Sequence, residues 1–551
     1  MRWLSFEIID RDLAGRVGKL RTKRGIVETP LLLPVVSPSF KPLTPKEMKS
    51  DFGCKAIITN AYILKKNYEK AVLSQGIHEF FRFEDTIVTD SGGYQILVYG
   101  DVDVSPEDII QFQEKIGTDV AVILDIPTGL NARRKRAEYT VEETLRRAKA
   151  AHKTLSRKDV LWVGPVQGGN HLDLVSHSAA EISKLPFDIY ALGSPTQVIE
   201  HYLFDVLVDM IIAAKTNLSC DRPFHLFGAG HPFMLAFAVA TGCDIFDSAA
   251  YALYARRGKY MTDSGTIDIT RLRYFPCTCK VCTKYIPQEL FGLSTGEREY
   301  VLAWHNLNLC FAEIRRIKQA IADGRLWELL ELRAKGHPSL NQALMQLKKY
   351  SAYLESGTPI SKVKGLLYFG SSGLNRPEIF RYSEKIRRWS PSTSADILVL
   401  TSQPSSKPFH RSKEYSQMFA LLSKRFKKAI PNLHFCVYSI PYGLIPLELD
   451  EVYPLSQFEA TNPPDLETID YVAQQVENYL KKKSRYQAIV LHRGKPLGEK
   501  IKDVCERLIK PEKLIISPKY EKVWSAKSIN NFVDIIYNVF KALPYPSTED
   551  E

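Results

Sequence analysis

Short apolar runs separated by amphipathic or charged stretches set the rhythm of the first half of the chain. The strand-like runs are residues 29–36, 56–61, 86–90, 119–125, 160–167, 189–193, 224–228 and 244–247. Helical spacing fills most of the gaps, as in 106–116, 141–155 and 172–184. Eight such alternations in about 250 residues predict an α/β fold built as a closed (β/α)8 barrel, since each buried parallel strand needs a crossover of roughly a dozen residues. A doubly wound open sheet fits the same pattern and stays as the alternative.

A parallel barrel carries its chemistry where the strands end. Those ends are Asn60, Asp90, Asp125, Gln167, Gly193 and Asp247. Asp90 is the most informative, because Asp90-Ser91-Gly92-Gly93-Tyr94-Gln95 follows the apolar run 86–89. The acid is delivered to the rim of the sheet, and the two glycines let backbone approach a ligand. Asp and Gly are also ordinary turn residues, so each end alone says little. Six polar or glycine ends together point to a pocket.

Beyond the last strand, Arg256, Arg257 and Lys259 follow Asp247 closely and read either as phosphate ligands or as a solvated basic face. Cys277, Cys279 and Cys282 come next, with His305 in a helical stretch further on. Three thiolates and an imidazole make a closed tetrahedral shell suited to one structural Zn2+ per chain, with no position left for a reacting water. Cys54, Cys220, Cys243, Cys310, Cys436 and Cys505 stand alone and are expected in the core.

Helical spacing over 296–335 closes the first unit, which the pattern places at 1–335. Gly336-His337-Pro338 marks a break, and 336–390 reads as a linker and small connecting region. A new alternation follows, with strands at 396–400, 434–438, 488–491 and 513–516 and helices such as 413–430 and 469–482. It predicts a separate accessory α/β domain over 391–545. Its basic runs at 424–428 and 481–485 read as hydrated faces or nucleic-acid contacts.

At 551 residues the chain is too long for one core of usual size. A composition of 45% hydrophobic and 25% charged residues excludes global disorder. The net charge of +12 makes nucleic acid a plausible partner. No apolar run reaches membrane-spanning length; the best candidate, 202–214, is interrupted by Asp205 and Asp209. Residues 1–12 lack a signal-peptide core, so no membrane association and a cytoplasmic location are expected. The odd count of cysteines, nine, argues for thiols and metal ligands over a disulfide framework.

Four ordered motifs together resemble the tRNA-guanine transglycosylases: Asp90 to Gln95, Val166-Gln167-Gly168-Gly169, Phe246-Asp247-Ser248, and the cysteine cluster with His305. The resemblance covers roughly the first 335 residues, and Tyr190-Ala191-Leu192-Gly193-Ser194-Pro195 resembles the archaeal branch. It implies exchange of guanine 15 in the tRNA D-arm for the free base 7-cyano-7-deazaguanine, on the route to archaeosine. It also implies Asp247 as nucleophile and Asp90 as general acid/base, with the opposite assignment kept open. Asp125, Gln167 and the backbone of Gly193 would read the base edge, and Tyr94 would stack on its face. Relatives act as homodimers. A queuine-type enzyme acting at the anticodon wobble base and a non-catalytic tRNA-binding subunit are the rivals, and retention of Asp90, Asp125 and Asp247 speaks against the second.

The accessory region departs from those relatives. No PUA-like RNA-binding segment is read before Glu551, so a separate PUA-bearing polypeptide is an expected partner. The stretch from Ser402 to Tyr415 resembles an archaeosine synthase motif in which Ser402-Gln403 replace Pro-Cys and Tyr415 replaces His. Without that thiol and imidazole, no second, amidine-forming activity is expected.

Overall fold

The structure is a computed structural model that describes residues 6–93, 95, 104–391, 395–482 and 485–543, without the side chains of 427–429. Its contacts divide the chain into two units, Met1–Thr358 and Pro359–Glu551.

The first unit is the barrel. Its strands are β1 (Leu31–Pro34), β2 (Ala56–Asn60), β3 (Thr86–Asp90), β4 (Val120–Val122), β5 (Leu161–Val166), β6 (Ile189–Leu192), β7 (Phe224–Leu226) and β8 (Ile245–Ser248). All pair in parallel with their sequence neighbours, and β8 returns to β1. The seam between β1 and β2 is closed by a bridge between Val35 and Ile58, where the Val36 N–H donates to the Ile58 carbonyl at 2.8 Å. The expectation of a closed barrel holds over the open sheet.

Side chains alternate across each strand with a period of two. Leu33, Ala56, Ile58, Val88, Val120, Val122, Val163, Ile189, Ala191 and Ile245 fill the barrel interior. Their neighbours Leu32, Ile57, Ile87, Ala121, Trp162, Tyr190 and Phe246 face outward into the layer of helices. Both faces are thus dry, which is why these strands read as continuous apolar runs. The sequence pattern did not single out the antiparallel sheet Phe6–Asp12, Gly15–Thr22 and Gly25–Thr29. Its Phe6, Leu20 and Val27 join the interior cluster beneath the strand starts and plug that end of the barrel. The opposite end remains for chemistry.

The stretch 336–390, read as a linker and small connecting region, forms regular elements. Pro338 opens a helix, Pro338–Gln346, as its first residue, and His337 Nδ1 accepts from the Ser339 N–H at 3.2 Å. Asp209 then holds this segment to the barrel, accepting from Gln346 Nε2 at 2.7 Å and from the Tyr350 hydroxyl at 2.6 Å. The remainder belongs to the second unit. There the buried Glu378 pairs with Lys362 at 2.5 Å and with Arg376 at 3.4 Å. Burial works against its charge, but the two cations hold its carboxyl down to about 2.

The second unit centres on a five-stranded sheet with the order Gly443–Pro446, Leu433–Ser439, Ile397–Ser402, Ala488–Leu491, Leu514–Ile516. Only Gly443–Pro446 runs antiparallel. Separate apolar clusters cover its two faces, as a doubly wound domain requires. The four predicted strands are present; the edge strand and the short parallel pair Leu366–Tyr368 with Phe458–Ala460 were not foreseen. Among the described residues, no helix is long and apolar enough to cross a membrane.

Candidate active site and metal centre

The two-residue period that fills the barrel also builds the site. Continuing the inward count beyond Ile58, Val88, Ala191 and Ile245 gives Asn60, Asp90, Gly193 and Asp247, and Gln167 follows from Val163 by two such steps. These residues therefore form one layer above the apolar interior, at the carboxyl ends of the strands. Asp125 is off this count. Strand β4 ends at Val122, not at 125 as the sequence suggested, and the chain beyond it carries Asp125 back into the pocket.

Asp90 is half-buried and has a dedicated partner. Asn60 Nδ2 donates to Asp90 Oδ2 at 2.8 Å, and the Gly92 N–H reaches the same oxygen at 3.3 Å. Asn60 can serve here because it also caps the next helix, its Oδ1 accepting from the Ile63 N–H at 2.9 Å. Burial, followed by the nearby negative charges of Asp125 and Asp247, pushes the Asp90 carboxyl up to about 7.

The opposite wall is a network around Gln167, which is fully buried. Its Nε2 donates to Asp125 Oδ2 at 2.6 Å. Its Oε1 accepts from the Thr128 N–H at 3.1 Å and from the Ser194 hydroxyl at 2.9 Å. Ser194 has φ +63°, a left-handed conformation that costs an ordinary residue about 1–2 kcal/mol, and its Oγ accepts from the Thr128 N–H at 2.8 Å. Burial pushes Asp125 up to about 6 although the Gln167 bond opposes it. Glycines make the close fit possible: a Cβ on Gly93 would lie 2.2 Å from Asp125 Oδ1, and one on Gly193 2.1 Å from Gln167 Nε2.

Asp247 accepts at Oδ1 from His225 Nε2 at 2.8 Å and from the Gly228 N–H at 3.0 Å. His225, Thr128 and Ser194 were missed from the sequence. A histidine inside an apolar run carries no local mark; counting two residues inward along β7 is the signal that finds it. Tyr94 lies outside the described residues.

The basic run is less uniform than its sequence. The Arg256 guanidinium sits over the Phe40 ring at 4.4 Å, Arg257 is exposed, and Lys259 pairs with Asp268 at 3.1 Å. The last of these contacts belongs to an unforeseen hairpin, Lys259–Thr262 with Gly265–Asp268.

Cys277, Cys279, Cys282 and His305 come together with their ligand atoms all within 4.8 Å of one another, a cluster that could hold one metal ion. Nδ1 of His305 lies 3.4 Å from Cys282 Sγ and 3.6 Å from Cys279 Sγ. His305 Nε2 faces the Met261 carbonyl at 2.9 Å, so Nε2 carries the hydrogen and Nδ1 keeps its lone pair for a metal. Tyr260 fixes the ring by stacking on it at 3.7 Å. Of the other cysteines, Cys220 is exposed, contrary to the expectation of a core residue; the remaining five are buried.

In the second unit, the residues of the synthase-like stretch are spent on packing. Tyr415 is fully buried and hydrogen-bonds Thr401, the Gln403 carbonyl accepts from Trp524 Nε1 at 3.2 Å, and His410 Nδ1 meets Asp450 Oδ1 at 2.8 Å.

A family model described as Queuine tRNA-ribosyltransferase matches residues 11–339, and one described as Domain of unknown function (DUF5591) matches 379–536. A Methanosarcina mazei protein named tRNA-guanine(15) transglycosylase is 42% identical over 466 residues, 84% of this chain and 89% of its own length. A protein of the same name from Methanococcus maripaludis strain C6 is 38% identical over 545 residues, 96% of this chain and 80% of its own. A third, from Methanococcus aeolicus, is 42% identical over 460 residues, 82% and 68% respectively. With its acids ringed at the mouth of a barrel and its cysteine cluster beside it, the chain belongs to the tRNA-guanine transglycosylases, a family of pentosyltransferases, alongside relatives named for guanine 15.

Proposed function

We propose that the protein exchanges guanine 15 of the tRNA D-arm for 7-cyano-7-deazaguanine, on the route to archaeosine. The observation that carries the chemistry is the pair of carboxylates at one barrel mouth in unlike surroundings. Asp247 is held by two N–H donors, and Asp90 is pushed up to about 7 by burial and its acidic neighbours. Groups with such separated environments suit nucleophile and proton carrier.

In the first displacement an Asp247 oxygen bonds to ribose C1′ as the C1′–N9 bond breaks, and the departing base takes the Asp90 proton. In the second, Asp90 removes a proton from the incoming base, whose nitrogen attacks C1′ and releases Asp247. Each step passes through an oxocarbenium-like centre, neither cuts the phosphodiester chain, and no nucleotide is consumed. Asp125 accepts from the N–H groups of the base, while Gln167 and the backbone at Gly193 read the rest of its edge. Tyr94 would cover the base face. Because guanine and its 7-deaza analogue share that edge, one pocket serves both.

Arg256, Arg257 and Lys259 are proposed tRNA phosphate contacts, of which the exposed Arg257 is the least encumbered. The cysteine cluster is proposed to hold structural Zn2+, since three thiolates and a neutral imidazole are its preferred donors and leave no open position. When bound, the ion would cross-link the segment around Cys277–Cys282 to the helix Thr295–Ala322. A cytoplasmic homodimer, with a separate PUA-bearing polypeptide assisting D-arm recognition, completes the proposal. The test is to supply labelled guanine or 7-cyano-7-deazaguanine with tRNA and map the label. Incorporation at position 15 is expected; label at the anticodon wobble base would refute the choice of site.

A further inference from the structure

His225 occupies an improbable place. It sits on the inward face of β7, 1% exposed, in a space otherwise lined by residues such as Leu31, Leu33, Val88, Val163 and Ile245. A polar ring in such surroundings costs free energy unless it is hydrogen-bonded, and an aliphatic side chain would fill the volume more cheaply. Among the described residues, its one hydrogen-bond partner is Asp247 Oδ1, at 2.8 Å. An ionised carboxylate only accepts, so Nε2 carries the hydrogen. Phe227 packs edge-on against the ring at 4.7 Å and limits its rotation.

We infer that His225 is a positioning residue for Asp247, clamping Oδ1 from below so that Oδ2 is presented to the reacting sugar carbon. The Gly228 N–H completes the clamp from the loop after β7, at 3.0 Å on the same oxygen. Gly228 has φ +67°, a conformation that glycine adopts without strain. With both donors on one oxygen, the carboxylate is fixed against rotation about its Cβ–Cγ bond, and its second oxygen stays available. A freely rotating carboxylate would spend much of its time misaligned, and displacement by about 1 Å costs on the order of 100-fold in rate. The inference rests on Asp247 being the nucleophile.

The test compares His225→Leu and His225→Gln in the full-length, metal-loaded protein. Gln keeps an N–H donor near the Nε2 position, whereas Leu keeps only the bulk. Two quantities are read: the single-turnover rate of forming the denaturation-resistant enzyme–tRNA adduct, and the tRNA Kd. His225→Leu is expected to slow adduct formation on the order of 100-fold at unchanged Kd, and His225→Gln to recover most of the rate. Melting curves identify any variant that is not folded, and the folded Gln variant keeps the comparison informative. A Leu variant within about threefold of the parent rate, or a Gln variant as slow as Leu with both folded, would overturn the inference. Asp247→Ala separates this from the underlying reading: an adduct that survives that change removes the nucleophile itself. An adduct lost in Asp247→Ala but unaffected in His225→Leu removes only the role of His225.

Discussion

Adding one methyl group at Gly193 tests the base-reading wall most sharply. An alanine Cβ there would sit 2.1 Å from Gln167 Nε2 and 2.7 Å from its Cδ, far inside contact distance. The Gly193 backbone has little room to retreat, since its N–H is bonded to the Val166 carbonyl at 2.9 Å. Gln167 must move instead, and the bond at stake is its 2.6 Å donation to Asp125 Oδ2. A buried hydrogen bond to a charged group contributes about 1.5–3 kcal/mol. If that bond orders the surface that reads the base, Gly193→Ala should weaken base affinity by roughly 10- to 150-fold, at about 1.4 kcal/mol per tenfold. The assay is steady-state exchange of labelled guanine, with KM for the base and kcat measured separately and a melting curve as the folding control. A rise in KM with kcat changing less is expected. A folded variant with the parent KM would refute the idea that Gln167 and Asp125 form the base-reading surface.

Asp90→Asn should abolish exchange and change the pH dependence of stability. The Asp90 carboxyl is raised to about 7 from an ordinary 3.8, so its protonation favours the folded state fully below the lower value, and this stability is lost as pH rises through the upper one. The variant should therefore melt higher than the parent at pH 8, with the difference shrinking toward pH 4; no difference at pH 8 would contradict the raised carboxyl. Asp247→Ala should eliminate the covalent tRNA adduct on denaturing gels, and a persistent adduct would reassign the nucleophile. Chelation of the metal proposed at the cysteine cluster should lower the melting temperature before it lowers turnover, and a metal-free protein with parental melting but no activity would contradict a structural site.

The barrel was legible because its strands are dry on both faces, which concentrates apolar residues into runs such as 56–58 and 120–124 that few other structures require. The N-terminal sheet was not, because its two outer strands are largely exposed. Phe6, Leu20 and Val27 are buried, whereas strand Gly25–Thr29 otherwise exposes most of its length, so no run stands out. The helix that starts at Pro338 was not legible, since proline breaks a helix interior but suits a helix start, and the contacts that hold this segment come from Asp209, far back in the chain. Residues whose types announce chemistry were readable at the site: the acids at strand ends and the three clustered cysteines. His225 and Ser194 were not, since their roles depend on partners 22 and 27 residues away that only the closed barrel brings near.

The amide of Asn60 fixes more than an orientation. Its Nδ2 and the Gly92 N–H both point at Asp90 Oδ2, so that oxygen is already engaged as an acceptor of two hydrogens. When Asp90 is neutral, its own hydrogen therefore resides on Oδ1. The same Asn60 cannot be turned over to relax this, because its Oδ1 is committed to the first turn of the helix Ala61–Gln75. A helix start on the barrel rim thereby gives the transferable proton a fixed address, the one carboxyl oxygen from which it can be handed on.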